Sequence, residues 1–448
     1  MYVFLLSAPI IDRRVRPVHR RAAALAVALA CLLTGVSALA AGGSGLSFDE
    51  AVHGAAERAP LVIARHAAGV AAVEEVARAD ALPDPRLGFG IQSLPVGGPH
   101  AWSLTEDGMT MRQVGITQDL PSRAKRQARR ESAEARVAEA EAESIATVLD
   151  VQRAAARAWI DLWAASRERE LLEALREESA LSLAATRARL SGGGGSASDV
   201  LAVRASDLEL ANRLDAAAAR IEQARARLAR WLGESIPPRV AEPPDFATPP
   251  AEEAVLVERL DQQGPLLAWA AREAAAEAAV ELARAEKNPD WSIGGGFAKR
   301  GAGDSNVIWM EVSVALPLFP GNRQDRGISA RAADLEALRA RRDDARRQQV
   351  EAIRSGFATW AGYGRQVARY RDALLPLAGD RTRTALAAYS GGASLQGWLD
   401  ARRDAIDTRI DYAAALAAWG EAWAGLAFLL PDPALRPSPA PLAMELSR

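Results

Sequence analysis

Cysteine is almost absent from this chain: Cys31 is the only one among 448 residues. Beyond residue 40 there is none, which excludes disulfide staples and thiolate metal sites from the remainder. Histidine is nearly as scarce. Outside the first 40 residues only His53, His66 and His100 occur, and none stands at metal-ligand spacing with a carboxylate cluster. No Gly-x-Ser-x-Gly elbow is present. The glycine run SGGGGS at 191–196 is not followed by Gly-Lys-Ser/Thr, so it is not a phosphate loop, and GGGF at 294–297 sits inside a strand pattern, which excludes a dinucleotide fingerprint. The expectation is a protein that is not an enzyme, with no cofactor and no bound metal. A formal charge of −2 gives no basic signature for nucleic acid. Past residue 40 no apolar run approaches the ~20 residues of a membrane-spanning helix.

The first 40 residues differ from the rest. Five arginines, Arg13 to Arg21, precede the apolar run AAALAVALACLLTGVSALA, which closes on Ala38-Leu39-Ala40. That is the pattern of a secretory signal peptide. Two variants stay open: a twin-arginine signal on Arg13-Arg14, and a lipidated N-terminus at Cys31, although Ala28 stands where a large aliphatic residue is expected. Cleavage after residue 40 removes five Arg and one Asp and leaves 50 basic against 56 acidic side chains.

What the chain has in abundance is helix-forming sequence interrupted by two short strand patterns. From Ile308 to Leu316 apolar residues alternate with Trp309, Glu311, Ser313 and Ala315, a period of two that only a half-buried strand can use. Trp291, Ile293 and Phe297 alternate in the same way with Ser292, Gly294, Gly296 and Ala298, and a Gly/Asp/Ser/Asn turn joins the halves into a β-hairpin. The segment LPDPRLGFGIQ from Leu82 matches NPDWSIGGGFA from Asn288, and MRQVGITQDLP ends as VSVALP does, so a second hairpin lies about two hundred residues earlier. Each strand has about the ~9 to 11 residues of a tilted transmembrane strand. An isolated hairpin is marginal in water, and its edges need partners.

Helical sequence surrounds both hairpins. Phe48 to Ala81 reads as helix, capped by Ser47 or Asp49 and interrupted at Pro60. Arg123 to Leu190 contains neither Pro nor Gly and would form a rod of roughly 100 Å. It turns at Ser191-Gly192-Gly193-Gly194-Gly195 and returns to Gly233. Arg326 to Tyr389 repeats the rod, softened at Gly356, Gly362, Gly364 and Pro376; it turns at Ser390-Gly391-Gly392 and returns to Leu430. The two tips superpose at an offset of 198, placing Leu201, Arg204 and Leu228 on Leu399, Arg402 and Leu426. The predicted organisation is therefore a signal peptide at 1–40, a first repeat at 41–236 with its hairpin at 84–120, a Pro-rich linker at 237–250, a second repeat at 251–430 with its hairpin at 289–318, and a disordered tail at 431–448. Trp159, Trp163, Trp360, Trp419 and Trp423 lie at helical spacing and read as packing between helices.

This succession, given twice behind a signal peptide, resembles the TolC-like outer-membrane efflux channels over residues 46 to 430. The specific pieces are VGITQDLPSRAKR at 114–126, VALPLFPGNR at 314–323 and YSGGASLQGWLDA at 389–401. The first is similar to the heavy-metal cation-efflux (CzcC-like) branch, although Ser122-Arg123-Ala124 departs from that branch's aromatic and Gly residues. The resemblance implies an α+β membrane protein: a homotrimer whose chains each give four strands to one twelve-stranded barrel in outer-membrane lipid, above a helical periplasmic barrel. It implies a periplasmic adaptor and an inner-membrane efflux pump as partners. Closure of three copies would remove the open edges, with Gly294 and Gly296 facing a wide lumen.

For site residues, the resemblance implies an acidic constriction near the second tip, where Asp400 holds the later of two family positions and Gly397 the earlier. Asp199, Asp400 and Asp404 are the constriction candidates; the competing readings are a helix cap for Asp199 and a solvated residue for Asp400. The adaptor-contacting candidates are Ser191, Gly192, Gly193, Gly194, Gly195, Ser390, Gly391 and Gly392. Trp102, Trp291, Phe297 and Trp309 are candidates for an interfacial aromatic belt. A type I protein-secretion duct and a non-membrane periplasmic coiled-coil adaptor are the alternative functions.

Overall fold

A computed structural model describes residues 45–431, apart from 234, 235, 238 and 302. The signal peptide, Cys31 and nearly all of the tail lie outside the described residues. Two helices open the chain, α1 (Phe48–Arg58) and α2 (Pro60–Ala79). Ser47 caps α1 through a capping box: its hydroxyl accepts the Glu50 N–H at 3.2 Å, and the Glu50 carboxylate accepts the Ser47 N–H at 3.0 Å. Pro60 begins α2 at a position where its missing N–H costs nothing.

Strands β1 (Arg86–Gln92) and β2 (Met111–Leu120) form the first hairpin, and β3 (Trp291–Arg300) and β4 (Val307–Val314) form the second. The hairpins meet through β2 and β3 in one antiparallel sheet of order β1-β2-β3-β4. The inner strands have 10 residues each; the edge strands, paired on one side only, are shorter than the sequence pattern suggested, with 7 and 8. Register fixes the faces. Leu87, Phe89, Val114, Ile116, Ile293, Phe297, Ile308, Met310 and Val312 share one face, and most of them are exposed. The opposite face carries Gly88, Gly90, Gly115, Gly294 and Gly296 among Gln113, Thr117, Ser292, Glu311 and Ser313.

From the sheet the chain enters α3 (Arg123–Glu173) and α4 (Leu175–Ser191), separated only by Ala174, which keeps right-handed helical angles, so the predicted rod is essentially continuous. It returns as α5 (Ala197–Leu232). The second repeat is more broken at its start, with α6 (Glu253–Glu258), a 3₁₀ turn at Leu260–Gln262 and α7 (Gly264–Leu267) before α8 (Trp269–Ala285). Its long arm is α9 (Gln324–Arg369) and α10 (Leu375–Ser390), joined by a π turn at Tyr370–Leu374, and α11 (Leu395–Ala427) returns. Helix α9 runs unbroken through its glycines, and only Pro376 alters the arm. Proline offers no N–H and its ring crowds the carbonyl four residues back, so the ladder loosens to the five-residue spacing in which Leu375 N–H meets the Tyr370 carbonyl. Two of the α9 glycines serve close packing instead, since a Cβ would stand 3.1 Å from Leu426 at Gly356 and 3.0 Å from the Trp419 indole at Gly364, whereas Gly362 has open space beside it.

The core lies where α1, α3, α5 and α11 cross, around Trp159, Phe48, Ile160 and Leu228. The Pro-rich linker is a strap across this core, anchored by one buried side chain. Phe246 is 4% exposed and lies among Trp163, Trp419 and Trp423 with ring centroids 5.7–6.0 Å away. Three indoles hold extended backbone: Trp159 donates to the Leu46 carbonyl at 2.9 Å, Trp360 to Phe246 at 2.8 Å and Trp423 to Thr248 at 2.8 Å. Leu46 pairs in parallel with Val240. These tryptophans pack between helices as their spacing predicts, and in addition satisfy a segment that has no ladder of its own.

Candidate functional site

At the far end of the helical arms both tips close by the same hydrogen bonds. Gly192 N–H donates to Ala188 at 3.0 Å and Gly193 N–H to Leu190 at 3.1 Å; Gly391 N–H donates to Ala387 and Gly392 N–H to Tyr389, both at 3.0 Å. Gly193 and Gly392 have φ of +74° and +108°, a left-handed region closed to most side chains, which is why glycine ends each arm. Arg189 ties the tips together. Its guanidinium donates to the Tyr389 carbonyl and, at 3.0 Å, to the Gly194 carbonyl, and lies 4.3 Å over the Tyr389 ring. Beneath this clasp Tyr389, Trp398, Val203 and Leu395 form a buried cluster. Ser191 and Ser390 are exposed beside the glycines.

The three candidate aspartates have different surroundings. Asp199 occupies the third position of α5 and completes a capping box with Ser196, which is the N-cap: Asp199 N–H donates to the Ser196 hydroxyl at 3.2 Å. Its carboxylate is thus engaged with its own helix end. Asp404 pairs across the hairpin with Arg381 at 2.5 Å. Asp400 has only local company, accepting from Gln396 at 2.9 Å, with Arg403 at 3.8 Å. Asp407 and Asp411 follow on α11 at three- and four-residue spacing, so 400, 404, 407 and 411 form an acidic stripe along one side of the helix. Asp407 faces Arg213 at 3.8 Å. Residues 407 and 411 were missed in the sequence reading, although their spacing was visible there.

Deeper in the arms, Arg227 bridges to Asp161 at 3.1 Å. Glu421 stands close to Asp161; withdrawal of its carboxyl from water and then the hydrogen bond with Asp161 push its pKa up to about 7, against the pull of Arg157 and Arg227.

On the sheet, Trp291 and Phe297 belong to the apolar face, 49% and 44% exposed. Trp309 does not: it lies on the glycine face, and its indole covers Gly115, Gly294 and Gly296, where a Cβ on Gly296 would stand 2.8 Å from Nε1. It is therefore not part of a lipid-facing belt, and the glycines do not leave an open lumen wall, because the indole fills their space. Trp102 is 69% exposed in the β1–β2 loop, held by donation of its N–H to Pro95 at 2.7 Å.

A sheet with one exposed apolar face, one polar face and two unpaired edges, carried on long helical arms, is a segment of a transmembrane barrel, since an apolar outer surface and a polar interior define such strands. No described helix is long and apolar enough to cross a membrane. The sequence pattern of the outer membrane efflux proteins matches residues 51–234 and 255–431, and the chain belongs to that family. It is an outer-membrane channel component of tripartite efflux, extending into the periplasm. Among solved structures, a membrane protein from Pseudomonas aeruginosa superposes with TM-score 0.70 at 19% identity, covering 85% of this chain and 92% of that one. The channel CusC gives 0.71 at 16%, covering 86% and 92%. The open-state MtrE outer membrane channel of Neisseria gonorrhoeae gives 0.61 at 16%, covering 85% and 88%. No curated protein sequence matches the chain.

Proposed function

We propose that three copies of this chain close their sheets into a single twelve-stranded barrel, and that their arms form a periplasmic conduit through which an inner-membrane pump, engaged through an adaptor at the tips, expels its substrate. The observation that carries this is the four-stranded sheet whose outer strands β1 and β4 have, among the described residues, no partner on their far sides. In hydrocarbon each unpaired backbone group costs several kcal/mol, and four strands are too few to close on themselves. Acidic residues on α11, Asp400 foremost, supply the constriction, and heavy-metal cations are the substrate class suggested by the motif at 114–126. Light scattering of the mature protein in mild detergent should give three times the chain mass; a monomer, or recovery in the soluble periplasmic fraction, overturns the reading. Growth of a deletion strain on a panel of metals and drugs identifies the substrate.

A further inference from the structure

The segments that end the two hairpins, at 114–126 and 314–323, are brought together at the helical end of the sheet, where they line one groove. Its walls include Lys125 and Arg129 from α3, Arg323 from the turn before α9, and the apolar lip Leu316, Leu318 and Phe319. The lip residues are 66%, 71% and 78% exposed, comparable to the lipid-facing Met310. Leu316 also continues the outward row of Met310, Val312 and Val314, and Ala315 N–H still pairs with the Asp290 carbonyl at 3.0 Å. The apolar surface of the sheet therefore runs directly into the groove.

The charges divide into two sets. Lys125 is structural: its ammonium meets Asp290 at 2.7 Å, and Asp290 also accepts the Ser122 N–H at 3.0 Å, locking the start of α3 to the start of β3. Glu286 lines the same groove, and Asp325 nearby is matched by Lys287 at 2.5 Å. Arg323 is exposed and makes no ion pair among the described residues. The position supplies the ligand. Strands of 10 residues, tilted as barrel strands are, span roughly the 25 Å of the apolar band, so residues just past their helical end stand at the headgroup level of the periplasmic leaflet. A planar guanidinium matches phosphate oxygens with paired donors.

We propose that this groove binds an anionic phospholipid of the periplasmic leaflet, with its phosphate held by Arg129 and Arg323 and its first acyl carbons lying on Leu316, Leu318 and Phe319. The proposal rests on the sheet spanning the outer membrane, and makes each junction between barrel and arms a lipid-binding site. The test is the lipid retained by the purified protein from vesicles of equal phosphatidylglycerol and phosphatidylethanolamine. Phosphatidylglycerol should be enriched, and Arg129→Gln with Arg323→Gln should lower the enrichment by roughly fivefold per arginine. Phe319→Ser should reduce retention of both lipids without changing their ratio. If the double variant does not assemble, Arg323→Gln alone carries the test, since that residue lies on an exposed turn. Equal retention of the two lipids by the unaltered protein, or a ratio indifferent to the arginines, overturns the proposal. So does Phe319→Cys that a bulky maleimide cannot label in the lipid-free assembly, because a second copy of the chain then covers the lip. The oligomer mass, measured in parallel, separates these outcomes from failure of the trimer itself.

Discussion

Among the acidic residues, neighbouring charge decides which can act on a passing ion. Asp199 is committed to its helix cap and Asp404 to Arg381 across the hairpin, whereas Asp400 has only Gln396 and, more distantly, Arg403 of its own helix beside it. In a trimer three such carboxylates around an axis attract cations and narrow the passage. Asp400→Ala should therefore raise single-channel conductance in planar bilayers and weaken block by divalent cations. Unchanged values at ~0.15 M salt would place the residue on the screened outer face. Asp404→Ala also frees Arg381 in the adjoining arm, so its effect on conductance combines the loss of a carboxylate with the loss of that pair. Glu421 gives a pH-dependent readout. Its folded pKa, about 7, exceeds the ordinary glutamate value of 4.5, so the folded state holds an extra proton between those limits and stability declines as pH rises through that window. Glu421→Gln should leave the melting temperature unchanged near pH 4 and raise it above pH 7, modestly, since the residue is exposed overall. A gain of equal size at both pH values would show that the carboxyl is not the cause.

Among the elements, the tips and the strap show two uses of irregular backbone. Each tip is closed by a glycine in the left-handed region, and Arg189 joins the two loops into one surface. Replacing Gly193 and Gly392 by valine forces both loops out of that conformation. Export and crosslinking to the adaptor should fall while the barrel still assembles; normal export with normal crosslinking would reduce the tips to connecting turns. The strap around Phe246 contains few regular hydrogen bonds, yet it is held because tryptophans on α9 and α11 donate to its carbonyls and Leu46, itself held by Trp159 on α3, pairs with Val240. Proline composition at 237–250 signalled only that no helix could continue there. Whether such a segment hangs free or is anchored to the core depends on side chains more than a hundred residues away.

At the scale of the whole molecule, the sheet is incomplete and the arms are longer than one chain's core requires. Helix α3 alone, 51 residues, extends about 75 Å. Leu181, Leu201 and Leu208, 69%, 65% and 60% exposed, add apolar surface along the arms that the single chain leaves in water. In the proposed trimer, closure would join β1 of one copy to β4 of the next. Cysteines scanned along β1 and β4, in a chain with no other cysteine after residue 40, should form disulfides between copies at a consistent register, giving a covalent trimer on denaturing gels. Disulfides confined to a single chain, or none at any register, would exclude that closure.

Much of this was legible in the residues because it depends on local periodicity. Alternation fixed which side chains of 291–298 and 308–314 share a face, and a run free of Pro and Gly fixed the first long arm, as Ser47 and Pro60 fixed the first helix boundaries. The match between the hairpins near residues 82 and 288 indicated duplication. Other features depended on contacts that periodicity does not encode. The pairing of β2 with β3, which makes one sheet from two hairpins, is a choice of partner across about two hundred residues. The location of Trp309 over three glycines, the burial of Phe246, the capping of α5 by Ser196 with Asp199 behind it and the clasp of Arg189 on Tyr389 are likewise settled by distance in space. Strand or helix follows from the order of apolar and polar residues along a segment; which groups neutralise one another, and which remain free to meet an ion or a lipid, follows only from packing the segments together.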